Sequence, residues 1–453
     1  MKLFIAFLLS FLTVSCADTS PQKPTDNSFV LTNVNIVDVE NRTIQQGKSM
    51  LVSDGKIQTI ASSPASITTG NVKIIDGKGG YVTPGLIDMH VHMYEKSAFA
   101  LALSHGVTHV RIMNGVPDQL LWRDMIDSGQ LVGSSATVSS PIVSAYDNAT
   151  LHHTVHTAEQ ATEAVKRFKD QGYDFIKAYG NLGEEALTAL FETGRSLGMP
   201  IAKHGPHASG DMPVSSLTGL QSLEHVEDIY QGPLNYEFSL DRIPAIANEI
   251  KATKVPITPT LNIYYQLTML SVEKESFLET IPTEYTSDII AFEAKRNQVD
   301  RWLTSSEGMA THNQKTLKFL QQITQVFNDT GITMLVGSDS GVLLSPHGLA
   351  THNEMRLMHE AGLTAFEVLS AATINAAKAL GLDRDIGKVS ENFNADFIYS
   401  KTNPVDDISV LVQPEAVVKA GVWYSKQALN ELRDKAIESR SLWEEINTLA
   451  EAL

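Results

Sequence analysis

Hydrophobic and polar positions along this chain fall into three regimes. Between residues 29 and 82 the β-like runs FVLTNVNIVDV, SMLVSDGKIQTI, VKIID and YVTP are broken at short intervals by Gly, Asp and Asn. They predict a small sheet. From 83 to 385 apolar strand-like runs alternate with helix-like stretches: GLIDMHVHM, GVTHVRIM, ATVSSPIVS, YDFIKAYG, MPIAKHG, LQSLEHV, VPITPTL and ITMLVGSDS. Eight such runs with helices between them predict an α/β fold, a (β/α)8 barrel of the TIM type. A doubly wound sheet is the alternative, but no GxGxxG turn follows the first run. The segment 263–330 carries a helical pattern and exceeds an ordinary connection, so it predicts an inserted arm, lid or dimer contact. Over 386–426 the β pattern returns in IGKVS, NADFIYS, ISVLV and AVVKAGVWYS. The small sheet is therefore expected to be built from both ends of the chain, with the barrel inserted between them. Residues 427–453, rich in Ala, Leu, Glu and Lys, predict a C-terminal helix.

The first residues follow a different pattern. In 1–16, MKLFIAFLLSFLTVSC, one Lys precedes an apolar run from Leu3 to Leu12 that is too short to span a bilayer. This is the pattern of a secretory signal. Thr13-Val14-Ser15-Cys16 resembles a lipobox, in which the Cys is lipidated after cleavage, although Thr13 stands where Leu is usual. The expectation is an exported lipoprotein anchored through Cys16, periplasmic or tethered to an outer membrane, with membrane contact through that lipid alone. Residues 17–28, ADTSPQKPTDNS, predict a flexible tether. Cys16 is the one cysteine of the chain. No disulfide framework, thiolate metal site or Cys nucleophile is available beyond it, so any metal must be held by His and carboxylates.

Composition narrows the classes further. Hydrophobic residues at 43% and charged residues at 19% are ordinary globular usage and exclude a disordered or coiled-coil chain. Lys and Arg number 35 against 52 Asp and Glu, a net charge of −17. Such a surface repels phosphate backbones, so no nucleic-acid partner is expected. It leaves the substrate open, and a homo-oligomer is compatible with it.

The candidate chemistry lies at the ends of the apolar runs. His90 and His92 close the first run as H-V-H, and residues two apart on a strand face the same side. Lys177, His204, His225 and Asp339 each close a later run. Counting βα units places these residues on strands 1, 4, 5, 6 and 8, at the rim where barrel sites are built. Four neutral imidazoles and a carboxylate suit zinc or a similar divalent ion. Two such ions side by side need a bridging anion. Neutral Lys177 can supply one by reacting with CO2 to form a carbamate, since a buried lysine readily loses its proton. A water between the ions would become the nucleophile, and Asp339 could take its proton and pass it to the leaving group.

These residues stand within motifs that resemble the amidohydrolase superfamily, in its binuclear-metal subtype. The motifs are VTPGLIDMHVH (82–92), GVTHVRIM (106–113), DFIKAYG (174–180), KH at His204, SLEH (222–225), GSDSG (337–341), the stretch 352–382 and IGKVSENFNADFIY (386–399). They cover almost all of the chain after its N-terminus. The resemblance implies a distorted TIM barrel with a small β-sandwich, and hydrolysis by a metal-bridging hydroxide. It implies that His90, His92 and Asp339 hold the more buried metal and that His204 and His225 hold the other. Carboxylated Lys177 would bridge the two, with Asp339 as catalytic base and acid. Two departures stand out: Asn392-Phe393-Asn394 replaces a usual Gly-Lys pair, and His207 is one residue out of step with a frequent family histidine. Mononuclear deaminases of the superfamily lack the lysine, so the resemblance points to amide hydrolysis in the imidazolonepropionase-like and Xaa-Pro-dipeptidase-like branch. Substrates there are dipeptides or N-acyl amino acids with a free C-terminal carboxylate. A cyclic amide, lactone or ester on the same centre is the alternative; a deaminase or a non-catalytic binding lipoprotein is further off. Tyr230, Tyr264, Arg111 and His153 (one of the loop histidines with His152 and His156) are candidates for substrate contact.

Overall fold

The computed structural model describes residues 27–67, 72–179, 182–204 and 213–452. The expected signal segment, most of the tether and His207 lie outside the described residues. Five strands come first: β1 (Phe29–Asp38), β2 (Thr43–Ser53), β3 (Lys56–Ala61), β4 (Lys73–Asp76) and β5 (Tyr81–Pro84). Nine follow, separated mostly by helices: β6 (Leu86–Val91), β7 (Val107–Ile112), β8 (Ser135–Val138), β9 (Ile142–Ser144), β10 (His152–Thr154), β11 (Ile176–Ala178), β12 (Ile201–His204), β13 (Ser222–Glu224) and β14 (Ile257–Thr258). The last three are β15 (Phe397–Ser400), β16 (Ala416–Lys419) and β17 (Val422–Ser425).

Both chain ends do build one sheet, with strand order β17-β16-β15-β5-β1-β2-β3 and β4 paired to β1. The antiparallel pair β5–β15 joins the two ends, Phe397 opposite Pro84. It is one curled sheet rather than a sandwich of two. The β2–β3 turn closes on the other half of the sheet: Ala395, just before β15, donates to Gly55 O (2.8 Å), and a Cβ on Gly421 in the β16–β17 turn would lie 2.9 Å from Gly55 Cα. The curl wraps the sheet around its own core of Phe29, Leu31, Val34, Met50, Val82 and Phe397. A bulge in β1 between Leu31 and Val34, with Asn33 at φ 53°, lets residues three apart share that core.

The middle strands form two parallel arcs, β6-β7-β8 and β10-β9-β11-β12-β13-β14. The ladder expected of a closed barrel is interrupted. ATVSSPIVS, which reads as one strand, is split between the arcs at Pro141, where the backbone has no N–H to donate. The run ending in Asp339 forms isolated bridges instead of a ladder, Ile257–Met334 and Val91–Ser340. Its Gly337 is forced by crowding: a Cβ there would sit 2.3 Å from Thr258 Cγ2 and 2.8 Å from His90 Cβ. Asp339 itself turns to φ 53°. A further bridge, Ser139–Phe175, also joins the arcs.

Continuous apolar runs mark strands covered on both faces, and β6 is buried along its whole length. Helices pack outside the arcs. Ala158–Asp170 opens on a capping box, Thr157 with Gln160, and Glu184–Leu197 stops at left-handed Gly198. The segment 263–330 is helical as expected: Leu261–Val272, Asp288–Ala294 and Glu307–Thr330 are its main pieces, with a π turn at Lys295–Val299. The expected C-terminal helix is two, Lys426–Glu438 and Leu442–Ala452, with Arg440 in the bend. Among the described residues no helix is long and apolar enough to cross a membrane.

Candidate metal centre

The strand ends bring the histidines and the aspartate together. His90 closes β6, and one ligand atom each from His90, His225 and Asp339 falls within 4.8 Å of the others. Asp339 Oδ1 is 3.5 Å from His90 Nε2 and 3.0 Å from His92 Nε2. The His225 ring lies 4.7 Å from that of His90 and 4.4 Å from that of His204. Lys177, on β11, is buried, and its Nζ has no hydrogen-bond partner.

A layer of buried groups orients each imidazole. Glu224 Oε2 accepts from His90 Nδ1 (2.9 Å), which turns the Nε2 lone pair toward the cluster. Thr260 Oγ1 donates to Pro259 O (2.7 Å), so it must accept from His225 Nδ1 (2.6 Å), and His225 also presents a bare Nε2. His204 Nε2 sits 3.2 Å from Asp228 Oδ2. Beneath Glu224 lies Arg111: Nη2 reaches Glu224 Oε1 at 2.6 Å, Nη1 reaches Ser222 Oγ at 2.7 Å and Nε reaches Met89 O at 2.7 Å. Asp88 ties the two strand ends that carry His90 and Asp339. It accepts from the amides of His90 (3.1 Å) and Ser338 (3.0 Å) and from Thr351 Oγ1 (2.6 Å). Glu354 does similar work below Thr260, accepting from the Asn262 amide (2.6 Å) at the start of Leu261–Val272.

Burial and charge then set the protonation states. Burial holds His90 down at about 4, and also depresses His204 and His225, so all three imidazoles are neutral at pH 7. Burial brings Lys177 down to about 8. For Asp339 burial pushes up, but His90, His92 and His225 together outweigh it and keep the carboxylate ionised. Glu224 is likewise raised by burial and pulled well down by Arg111 and His90. Neutral nitrogen lone pairs around an ionised carboxylate, with a bondless buried amine beside them, fit divalent cations.

All four expected substrate contacts are engaged elsewhere in this geometry. Arg111 is fully buried and saturated by Glu224, Ser222, Gln221 and Met89, so it supports His90 and does not face a ligand. Tyr230 and Tyr264 both hydrogen-bond Thr316 of Glu307–Thr330, and Tyr230 packs on Phe238 and Phe319. His153 stacks edge-on against Phe168 of an outer helix. Its neighbour takes the inner side, because adjacent residues on β10 face opposite ways. His152 bonds Ser144 Oγ (2.8 Å) and meets Tyr179, whose ring lies 4.2 Å from His204. Glu224, Asp228 and Asp88 escaped the sequence reading. The signal for Glu224 and Asp88 was an acid inside an otherwise apolar run, SLEH and GLIDMH.

Beside His92 opens a cavity of about 390 Å³. Its walls include Tyr94, Leu151, Val342, and Ile289, Ile290 and Glu293 from the helical segment. A second cavity, about 370 Å³, shares Tyr94 but lies toward Trp122 and the C-terminal helices, away from the imidazoles.

Known proteins share the family pattern and the fold of this chain. The family description "Amidohydrolase family" matches residues 81–424. Ochratoxinase of Aspergillus niger is 29% identical over 140 residues, 30% of this chain, which spans 28% of that protein's length. A bottromycin amidohydrolase superposes with a TM-score of 0.76 at 21% identity, covering 92% of this chain and 91% of its own. A Xaa-Pro dipeptidase solved with methionine in its active site superposes with a TM-score of 0.67 at 20% identity, covering 88% and 100%. At these identities the two structures are alike in fold.

Proposed function

This chain belongs to the amidohydrolase family, and we propose that it hydrolyses the amide C–N bond of a dipeptide or N-acyl amino acid. The observation that carries this reading is the convergence of His90 and His225 on ionised Asp339, with the His204 ring 4.4 Å from that of His225 and the buried, bondless Lys177 amine in the same site. In it the two parallel arcs are a distorted (β/α)8 barrel, with the site at one rim. His90 Nε2, His92 and Asp339 would hold one divalent ion, most simply zinc, and His204 and His225 a second. Lys177 would lie between them as its carbamate, formed when the neutral amine adds CO2 and releases a proton. Bound divalent ions would supply Lewis acidity and activate water at neutral pH.

The remaining work falls to side chains. Asp339 takes a proton from the attacking water and delivers it to the departing nitrogen. Glu224 and Thr260 hold the His90 and His225 tautomers fixed throughout. Asp228 does the same for His204. The apolar walls of the cavity, Leu151, Ile289, Ile290 and Val342, seat a hydrophobic acyl group or side chain. An anchor on Cys16 would keep this activity outside the cytoplasm.

The test uses the full chain in detergent, loaded with zinc, beside Asp339→Asn. A mixed set of dipeptides and N-acyl amino acids is followed by mass spectrometry, and metal is counted by elemental analysis. The expected result is cleavage by the parent, a loss of roughly 10²–10⁴-fold in the variant, and about two ions per chain. One ion per chain would remove the Lys177 bridge. Full metal with turnover of lactones or cyclic amides alone would move the reaction to those substrates.

A further inference from the structure

The cavity beside His92 has an unusual charge balance for a site expected to take a substrate carboxylate. Among the residues that line it there is no Lys or Arg. The cations nearest the imidazoles, Lys177, Lys203 and Arg111, are all buried beneath the site, and Arg111 is spent on Glu224. Segments 180–181 and 205–212, which follow β11 and β12 in the sequence, contain no Lys or Arg either. The lining instead carries one acidic side chain, Glu293, on the helix Asp288–Ala294, among the apolar side chains of Leu151, Ile289, Ile290 and Val342.

Glu293 is placed rather than loose. Asn297 Nδ2 donates to its Oε1 at 3.0 Å. The π turn that follows the helix brings Gln298 Oε1 within 2.9 Å of the Leu343 amide, which fastens the segment to the loop after Asp339. From behind, Glu445 Oε2 accepts from the Ile289 amide at 3.4 Å, and Arg440 bonds Glu284 O and Thr286 O. The carboxylate is thus held at the mouth of an apolar cavity, facing the same space as His92 and Tyr94.

We infer that Glu293 receives a cationic nitrogen of the substrate, an ammonium or a guanidinium, and that the site prefers amides carrying one. This deepens the amide-hydrolase reading and rests on it. Two sources share that chemistry, the free amino terminus of a dipeptide and a basic side chain. Because Glu293 stays accessible to water, the preference is moderate, about two- to fivefold.

The test takes the full zinc-loaded chain and three substrates: Leu-Ala, N-acetyl-Leu-Ala and N-acetyl-Leu-Lys. The parent should favour one or both cationic members in kcat/KM, and which one identifies the source. Glu293→Gln should bring it down to the N-acetyl-Leu-Ala level through KM with kcat kept, while Glu293→Asp keeps the order. Equal changes on all three, or none, overturn the inference. Calorimetric binding of the same compounds to Asp339→Asn, with and without Glu293→Gln, separates the two claims. Glu293-dependent binding preference without turnover in the parent keeps the cation site and removes amide hydrolysis. Turnover without preference does the reverse, and binding of none removes both.

Discussion

The floor and the wall of this site are built by different means. The floor is the imidazole cluster, carried on strand ends and fixed from beneath by buried polar chains such as Arg111–Glu224–His90. Every group in that chain is satisfied, and the low-dielectric surroundings make each bond costly to break. The wall is the helical segment around Ile289, Ile290 and Glu293, half-exposed and tied down by few bonds. Chemistry needs ligand atoms held within fractions of an ångström, and selectivity needs only a shaped surface. The floor therefore resists change and the wall admits it.

The strongest way to break this contrast is to cut the floor. Glu224→Ala leaves the Arg111 guanidinium buried without its partner and should cost about 3–5 kcal/mol of stability. A thermal melt of apo protein reads this directly; an unchanged midpoint would mean the buried pair does not hold the floor.

A second test works through pH. Burial pushes the Glu354 carboxyl up from 4.5 to about 8, against the amide bonds from Asn262 and Leu261. The folded chain then keeps a proton that the unfolded chain releases, so this group costs stability progressively as pH rises from 4.5 to about 8. Glu354→Gln should gain on the parent across that window and level off above it. Parallel melting curves would show Glu354 ionised in the fold. The smallest effect belongs to the wall. Ile289→Ala with Ile290→Ala should raise KM by roughly three- to tenfold for substrates with large apolar groups, at an almost unchanged melting midpoint. A collapse of the melt would show the wall to be as structural as the floor.

Much of the floor was legible in the chain because its logic is local. The HVH spacing on one strand and the polar residue closing each apolar run mark His90, His92, Lys177, His204, His225 and Asp339 as a group. What each run rests on was less visible. Arg111 stands at the end of GVTHVRIM just as Lys177 stands in YDFIKAY, and nothing local says that one is locked under Glu224 while the other lacks a partner. The choice between His152 and His153 turned on which way a three-residue strand faces, a matter of its pairing with β9. Tyr230 and Tyr264 were drawn from the site by Thr316, far along the chain.

The periodicities of the sequence determined the alternation of strands and helices and the set of polar residues that close the apolar runs. These follow from backbone geometry and side-chain alternation, which act over a few residues. Only the tertiary structure decided that Pro141 and Gly337 would interrupt the ladder, that the end sheet would curl around its own core, and which buried acid would orient which imidazole. Those outcomes depend on crowding, desolvation and hydrogen bonds between positions as far apart as His90 and Glu224, which no local pattern encodes.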